Sequence, residues 1–234
     1  MFDFLFNNDK KIEKERDKLI SDLENGDIEY LLKQMDSKEI FSPLLLRKRK
    51  KVTSLTDDIS WYAYRRAETL NSDSFKEQLI SKVTNDLDSS IKQHAYFCLA
   101  HLCKNLNDKE LFIFLMNQLE LEKNNDCKTV ILIGIRDMDK TDLNVDPIKK
   151  IAKSRSSINI NAILALNLSN DSEIEDLLLE LFDDTKDSHK KSMICSTLMT
   201  VGTQKSIPHL LAAYKRTRDY GLRSDIELAM KKID

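Results

Sequence analysis

Few residues in this chain have types and spacings that could do chemistry. There are four histidines, His94, His101, His189 and His209, and four cysteines, Cys98, Cys103, Cys127 and Cys195. His94 and His101 stand seven apart in the stretch IKQHAYFCLAHL, so both can share one face of a helix and supply two ligands to a metal. No neighbouring carboxylate or cysteine completes an evident ligand set, and neither HExxH nor a His-Glu pair occurs. The cysteines form no CxxC pair and fall within apolar helical patterns, which reads as small buried hydrophobes in a reducing compartment. Gly26, Gly134, Gly202 and Gly221 are too scattered for a phosphate-cradling loop or a nucleophile elbow. The expectation is a chain with no catalytic residue, no metal and no cofactor.

Charge offers one more candidate. Arg47, Lys48, Arg49, Lys50 and Lys51 form the densest basic run, and Arg65 and Arg66 follow nearby; together they could contact phosphates. The simpler reading is a solvated helix face, or a counterpart to Glu13, Glu15 and Asp17. Net charge is only −2, so no global field draws the protein toward a polyanion. The acidic helix around Glu173, Glu175, Asp176 and Glu180 likewise reads as the wet side of a helix whose apolar face is Ile174, Leu177, Leu178 and Leu181.

The elements that must position these residues repeat. A small residue followed by a large apolar one occurs at Cys98-Leu99, Gly134-Ile135, Ala165-Leu166, Thr197-Leu198 and Ala229-Met230, in steps of 36, 31, 32 and 32 residues. A constant period of this size means stacked structural units. With Ile91 as position one, the second helix of each unit has apolar or small residues at positions one, five, eight, nine and twelve, one face of a 3.6-residue helix. Lys190 breaks position one and Ser169 breaks position twelve. First helices are expected near Ser74–Asp86, Asp108–Leu121, Pro147–Lys153, Ser172–Asp183 and Ile207–Arg216. Capping boxes are read at Ser74-x-x-Glu77, Asn107-x-x-Glu110 and Ser172-x-x-Glu175, and all three prolines fall at helix starts.

Before residue 74 the register is loose. Residues 9–24 read as an amphipathic helix on Ile12, Leu19, Ile20 and Leu23, ended by Asn25-Gly26 with Gly26 as a left-handed cap. Ser42-Pro43 is expected to open a basic helix, and ISWYAYRRAETL reads as a degenerate repeat copy. The apolar start, Met1 to Phe6, is expected to cover the open end of the array. It is too short for a signal sequence, and no uncharged apolar run approaches the length of a membrane span.

The phrases IKQHAYFCLAHL, INAILALNL, SIPHLLAAY and LRSDIELAMKKI resemble the HEAT-repeat superfamily, in particular the short-unit repeats of bilin-lyase-like bacterial proteins, over about residues 74–234. The resemblance implies an all-α, right-handed α-solenoid of helical hairpins, with residues 1–73 as an N-terminal helical cap and degenerate repeat. In such a stack the second helices line the concave surface. The residues expected to face a partner are then His94, Phe97, His101, Val130, Asp137, Asn161, Met193, Thr200, Asp225 and Lys232. That mixed surface suits another protein better than a polyanion. The functional expectation is a non-catalytic protein-binding module in a bacterial cytoplasm, and in its concrete form an immunity-type inhibitor that covers a toxin domain. The alternative is a nucleic-acid-binding or DNA-glycosylase-like member using Arg47 to Lys51 with Arg65 and Arg66. HEAT-like iron hydroxylases carry repeated His-Glu pairs, and none occurs here.

Overall fold

A computed structural model describes residues 2–41, 58–85 and 88–233. Among them the secondary structure is helical apart from one isolated antiparallel bridge, Ile40 to Asp58. The chain divides into two compact units, Met1–Leu102 and Cys103–Asp234.

In the first unit the helices are α1 (Phe2–Asn25), α2 (Ile28–Met35), α3 (Ile59–Glu68), α4 (Lys76–Asn85) and α5 (Ser89–Leu106). Helix α1 begins earlier than expected. Its residues Ile12, Leu19 and Leu23 are buried, while Ile20 is exposed, so the apolar stripe is narrower than the sequence suggested. Helix α3 packs on both α1 and α2, burying Ala63 and Ala67 against the Leu31, Leu32 and Met35 side of the unit. Gly26 does not adopt the left-handed cap expected of it. It is small because space is short: a Cβ there would sit 2.6 Å from the Asp22 carbonyl oxygen and 3.0 Å from Tyr30 Cδ1. Asp27 then starts α2, its carboxylate accepting from the Tyr30 amide at 2.8 Å. The expected helix after Pro43, and the side chains of the apolar start, lie outside the described residues.

The second unit is built of four helical hairpins. They are α6 (Lys109–Leu121) with α7 (Asn125–Ile135), α8 (Asp146–Lys153) with α9 (Asn159–Ala165), α10 (Glu173–Asp184) with α11 (Ser188–Val201), and α12 (Ile207–Arg216) with α13 (Tyr220–Ile233). First helices stack in the order α6, α8, α10, and second helices in the order α7, α9, α11, α13. This is the nearest-neighbour packing of a repeat solenoid.

The columns read from the sequence are the core. Ile131, Ala162, Ile194 and Ile226 at position five, and Gly134, Ala165, Thr197 and Ala229 at position eight, are all buried. At position nine Ile135, Leu166 and Leu198 are buried and Met230 is half-buried. Pro147 and Pro208 stand in first turns as expected, where the missing N–H leaves no gap in the helix.

The caps differ from the expected boxes. Asp108 rather than Asn107 caps α6, accepting from the Leu111 amide at 2.9 Å, because Asn107 is already in the left-handed turn that ends α5 (φ 50°). Ser72, not Ser74, accepts at the start of the short turn before α4. Ser172 makes no cap bond, and its expected partner Glu175 is used elsewhere. Glu175 is buried, and its carboxylate accepts from the Ser206 hydroxyl at 2.6 Å, the Thr203 amide at 2.8 Å and the Thr203 hydroxyl. An acid in the first turn of one hairpin thus caps the entrance to the next.

Candidate functional site

The candidate site is the face of the second helices left over once the stacking columns are filled. Positions four and eleven are seven residues apart, close to two full turns, so they fall on one side of a helix. In the second unit Val130, Asn161, Met193 and Asp225 at position four are each half-exposed. At position eleven Asp137, Thr200 and Lys232 are exposed, as is Leu168.

Two of these residues are joined by one the sequence reading passed over. Asn167 receives a hydrogen bond from the Thr200 hydroxyl and donates from Nδ2 to Asp137 at 3.5 Å, so three repeats are tied along this face. The same Thr200 oxygen lies 3.0 Å from the Thr197 carbonyl of its own helix. Asp137 is further held by Arg136 through contacts of 3.1 to 3.4 Å. The Arg136 guanidinium holds the Asp137 carboxyl below the usual carboxylate range, against a smaller opposing effect of partial burial.

Asp137 and Leu168 lie outside their helices, which end sooner than the period implies. Helix α7 stops at Ile135 and α9 at Ala165. The reason is Lys140, whose side chain is fully buried although nothing in the sequence marks it. Its Nζ donates to the carbonyls of Arg136 at 3.0 Å, Met138 at 2.8 Å and Asn167 at 2.8 Å. Its backbone amide donates to the Leu168 carbonyl at 2.9 Å. One ammonium therefore satisfies carbonyls at the carboxyl ends of two neighbouring second helices, where the helix dipole favours a cation. Leu168 accepts a left-handed conformation (φ 56°) to make this turn. Burial lowers the Lys140 pKa to about 8.

In the first unit the residues expected to face a partner are buried instead. His94, Phe97 and His101 are 6%, 9% and 8% exposed. They pack as an aromatic column with Tyr64 of α3: Tyr64 meets Phe97 edge-on at 5.0 Å, and Phe97 lies 4.4 Å from His101. The column pattern predicts a partner-facing side here, but Tyr64 packs against its His94 and Phe97.

The surroundings of His94 hold the residue types of a hydrolytic triad without its connectivity. Ser90 Oγ is 3.4 Å from His94 Nε2, and Asp36 Oδ1 is 3.6 Å from the same nitrogen. The other nitrogen, Nδ1, is paired with the Tyr64 hydroxyl at 3.1 Å. Serine and aspartate therefore share one nitrogen, and Ser90 donates directly to Asp36 at 2.9 Å. A nucleophile relay needs them on opposite nitrogens. Burial lowers the His94 pKa, only partly offset by Asp36, and burial raises that of Tyr64. A neutral imidazole and a protonated phenol suit a structural hydrogen bond.

Arg47, Lys48, Arg49, Lys50 and Lys51 lie outside the described residues. Arg66 is held by the Leu23 carbonyl at 3.4 Å, and Arg65 pairs with Glu68 and lies 5.7 Å from the Trp61 ring. Both arginines are thus engaged within the unit. All four cysteines are buried. Among the described residues no group of three or more His, Cys, Asp or Glu could hold a metal ion, and no helix is long and apolar enough to cross a membrane.

Residues 145–231 match the family model for HEAT repeats. Comparison with curated proteins gives no match, and neither does comparison with solved structures.

Proposed function

We propose that this chain, whose residues 145–231 are HEAT repeats, is a non-catalytic protein-binding module that holds its partner on the second-helix face of the second unit. HEAT repeats commonly mediate protein–protein interaction, which supplies the class of function. The observation carrying the location is the alternation along those helices. In all four hairpins of the second unit positions five and eight are buried, while positions four and eleven stay accessible. The accessible set mixes Val130, Met193 and Leu168 with Asn161, Thr200, Asp137 and Lys232. Such a mixture is typical of a protein interface and too poor in cations to track phosphates.

The more specific form of the reading is an immunity-type inhibitor in a bacterial cytoplasm, which neutralises a toxin domain by covering it. A rigid face held together by the Thr200–Asn167–Asp137 ladder loses little freedom on binding, as tight inhibition requires.

Photo-crosslinking residues placed at Asn161 and at Met193 test the location. The expected result is one protein adduct from both positions and none from Glu180, an exposed residue of a first helix. Nucleic-acid adducts, or equal capture at all three positions, would overturn it. Protection of a host expressing the neighbouring reading frame tests the immunity form. Toxicity unrelieved by this chain would remove that form.

A further inference from the structure

A groove of about 680 Å³ runs along the last two hairpins of the second unit, away from the position-four and position-eleven columns. Its floor is Pro208, Ala212 and Leu222, and three cations, Lys186, Lys191 and Arg216, line it. Asp183 is the sole carboxylate among the described lining residues, and it is already taken by His209, whose Nδ1 is 2.7 Å from Asp183 Oδ2. No carboxylate of the described residues stands within ion-pair distance of any of the three cations. Lys191 instead lies 4.6 Å from the centre of the Phe182 ring, which orders its ammonium without neutralising it.

The repeat supplies an internal comparison. The first two hairpins of the same unit form the corresponding groove, where Pro147 matches Pro208 and Lys128 stands at the column of Lys191. There Lys150 is bonded to Glu120 at 2.6 Å, so Lys128 is the one cation among its described lining residues without an ion pair. Four residues after the proline that groove has Ile151, where the later one has Ala212, and its volume is smaller, about 360 Å³. One architecture thus holds one cation without an ion pair and is partly filled in one place, and is open with three such cations in the other.

We infer that the groove along α12 binds an extended acidic peptide segment of a partner protein, its carboxylates on Lys186, Lys191 and Arg216 and its apolar side chains on the Pro208–Ala212–Leu222 floor. The volume lies within the range of pockets that bury a ligand of a few residues. The apolar floor gives a bare phosphate nothing to cover. This site is separate from the second-helix face, and neither reading depends on the other.

The test is fluorescence anisotropy of the full chain with a fluorescein-labelled seven-residue peptide of alternating glutamate and leucine. A labelled single-stranded oligonucleotide of equal charge serves as the competing probe. The expected result is saturable peptide binding that weakens with salt, falls tenfold or more in Lys186→Glu with Arg216→Glu, and is unchanged in Lys128→Ala. Both reversed residues are exposed, so the fold tolerates the change. The inference is overturned if the peptide does not bind, if the double variant binds it as well as the original chain, or if the oligonucleotide binds more tightly.

Discussion

The hydroxyl of Thr197 donates to the carbonyl oxygen of Ile163 at 3.1 Å, joining the second helices of adjacent repeats through a buried side chain. The same oxygen lies 3.3 Å from the Met193 carbonyl of its own helix. Only a close approach of two helices permits this contact, and it occurs where the repeat column is otherwise glycine, alanine or cysteine. Thr197→Val keeps the shape and removes the donor. It should cost about 1 kcal/mol in urea unfolding, the net worth of one hydrogen bond, with the denaturant slope unchanged.

Leu166 is fully buried at position nine. Replacing it with alanine should cost about 2–5 kcal/mol, as for a well-packed core leucine. A melting temperature that does not move would show that the repeat register is misread.

Glu175 links the hairpin of α10 to the next one, and its pKa sets an acid limit. Burial pushes the carboxyl up, but the bonds from Ser206 and Thr203 outweigh it, and the folded-state value falls below the ordinary 4.5. Stability from this group is therefore complete above pH 4.5 and lost as pH falls through the lower folded value. Glu175→Gln should lose about 2 kcal/mol at neutral pH, in line with charge-assisted hydrogen bonds. It should also flatten the acid limb of a plot of stability against pH, followed by circular dichroism.

Lys140 acts in the alkaline range, with the same sign. Its folded-state pKa of about 8 lies below the ordinary 10.5, so the unfolded chain keeps its proton to higher pH. Between those values the original chain should gain stability relative to Lys140→Met as pH rises. Near neutral pH the variant should still be the less stable by about 1–3 kcal/mol, because buried carbonyls lose their donor. Chemical denaturation at pH 7 and at pH 10 measures both effects.

The repeat was legible because its cause is periodic. A face buried against neighbours on both sides admits few residue types, so positions five, eight and nine announce themselves in a single sequence. The same logic hid Lys140 and Glu175. Each is a charged residue whose burial is made tolerable by partners in a neighbouring repeat, and nothing local distinguishes it from a solvated lysine or glutamate. His94, Phe97 and His101 failed for a related reason. The column rule leaves them on the partner-facing side of α5, whereas Tyr64, in the loosely patterned ISWYAYRRAETL, packs on His94 and Phe97, and Phe97 on His101. The groove beside α12 had no motif at all. It arises from small residues at Ala212 and Ala213 and from cations on three separate elements, which only folding gathers.

The four cysteines have a use that does not depend on any partner. Cys98 and Cys103 sit on α5, Cys127 on α7 and Cys195 on α11, and each is sealed from solvent. Burial pushes the Cys98 and Cys195 thiols up to about 12, so neither presents a thiolate while its helix is in place. A thiol reagent can modify them only after the surrounding helices separate. Modification rates followed by mass spectrometry therefore time the opening of the segment around each cysteine. The chain carries its own clocks, and a ligand bound along α12 should slow the one at Cys195 while leaving Cys127 to run at its former rate.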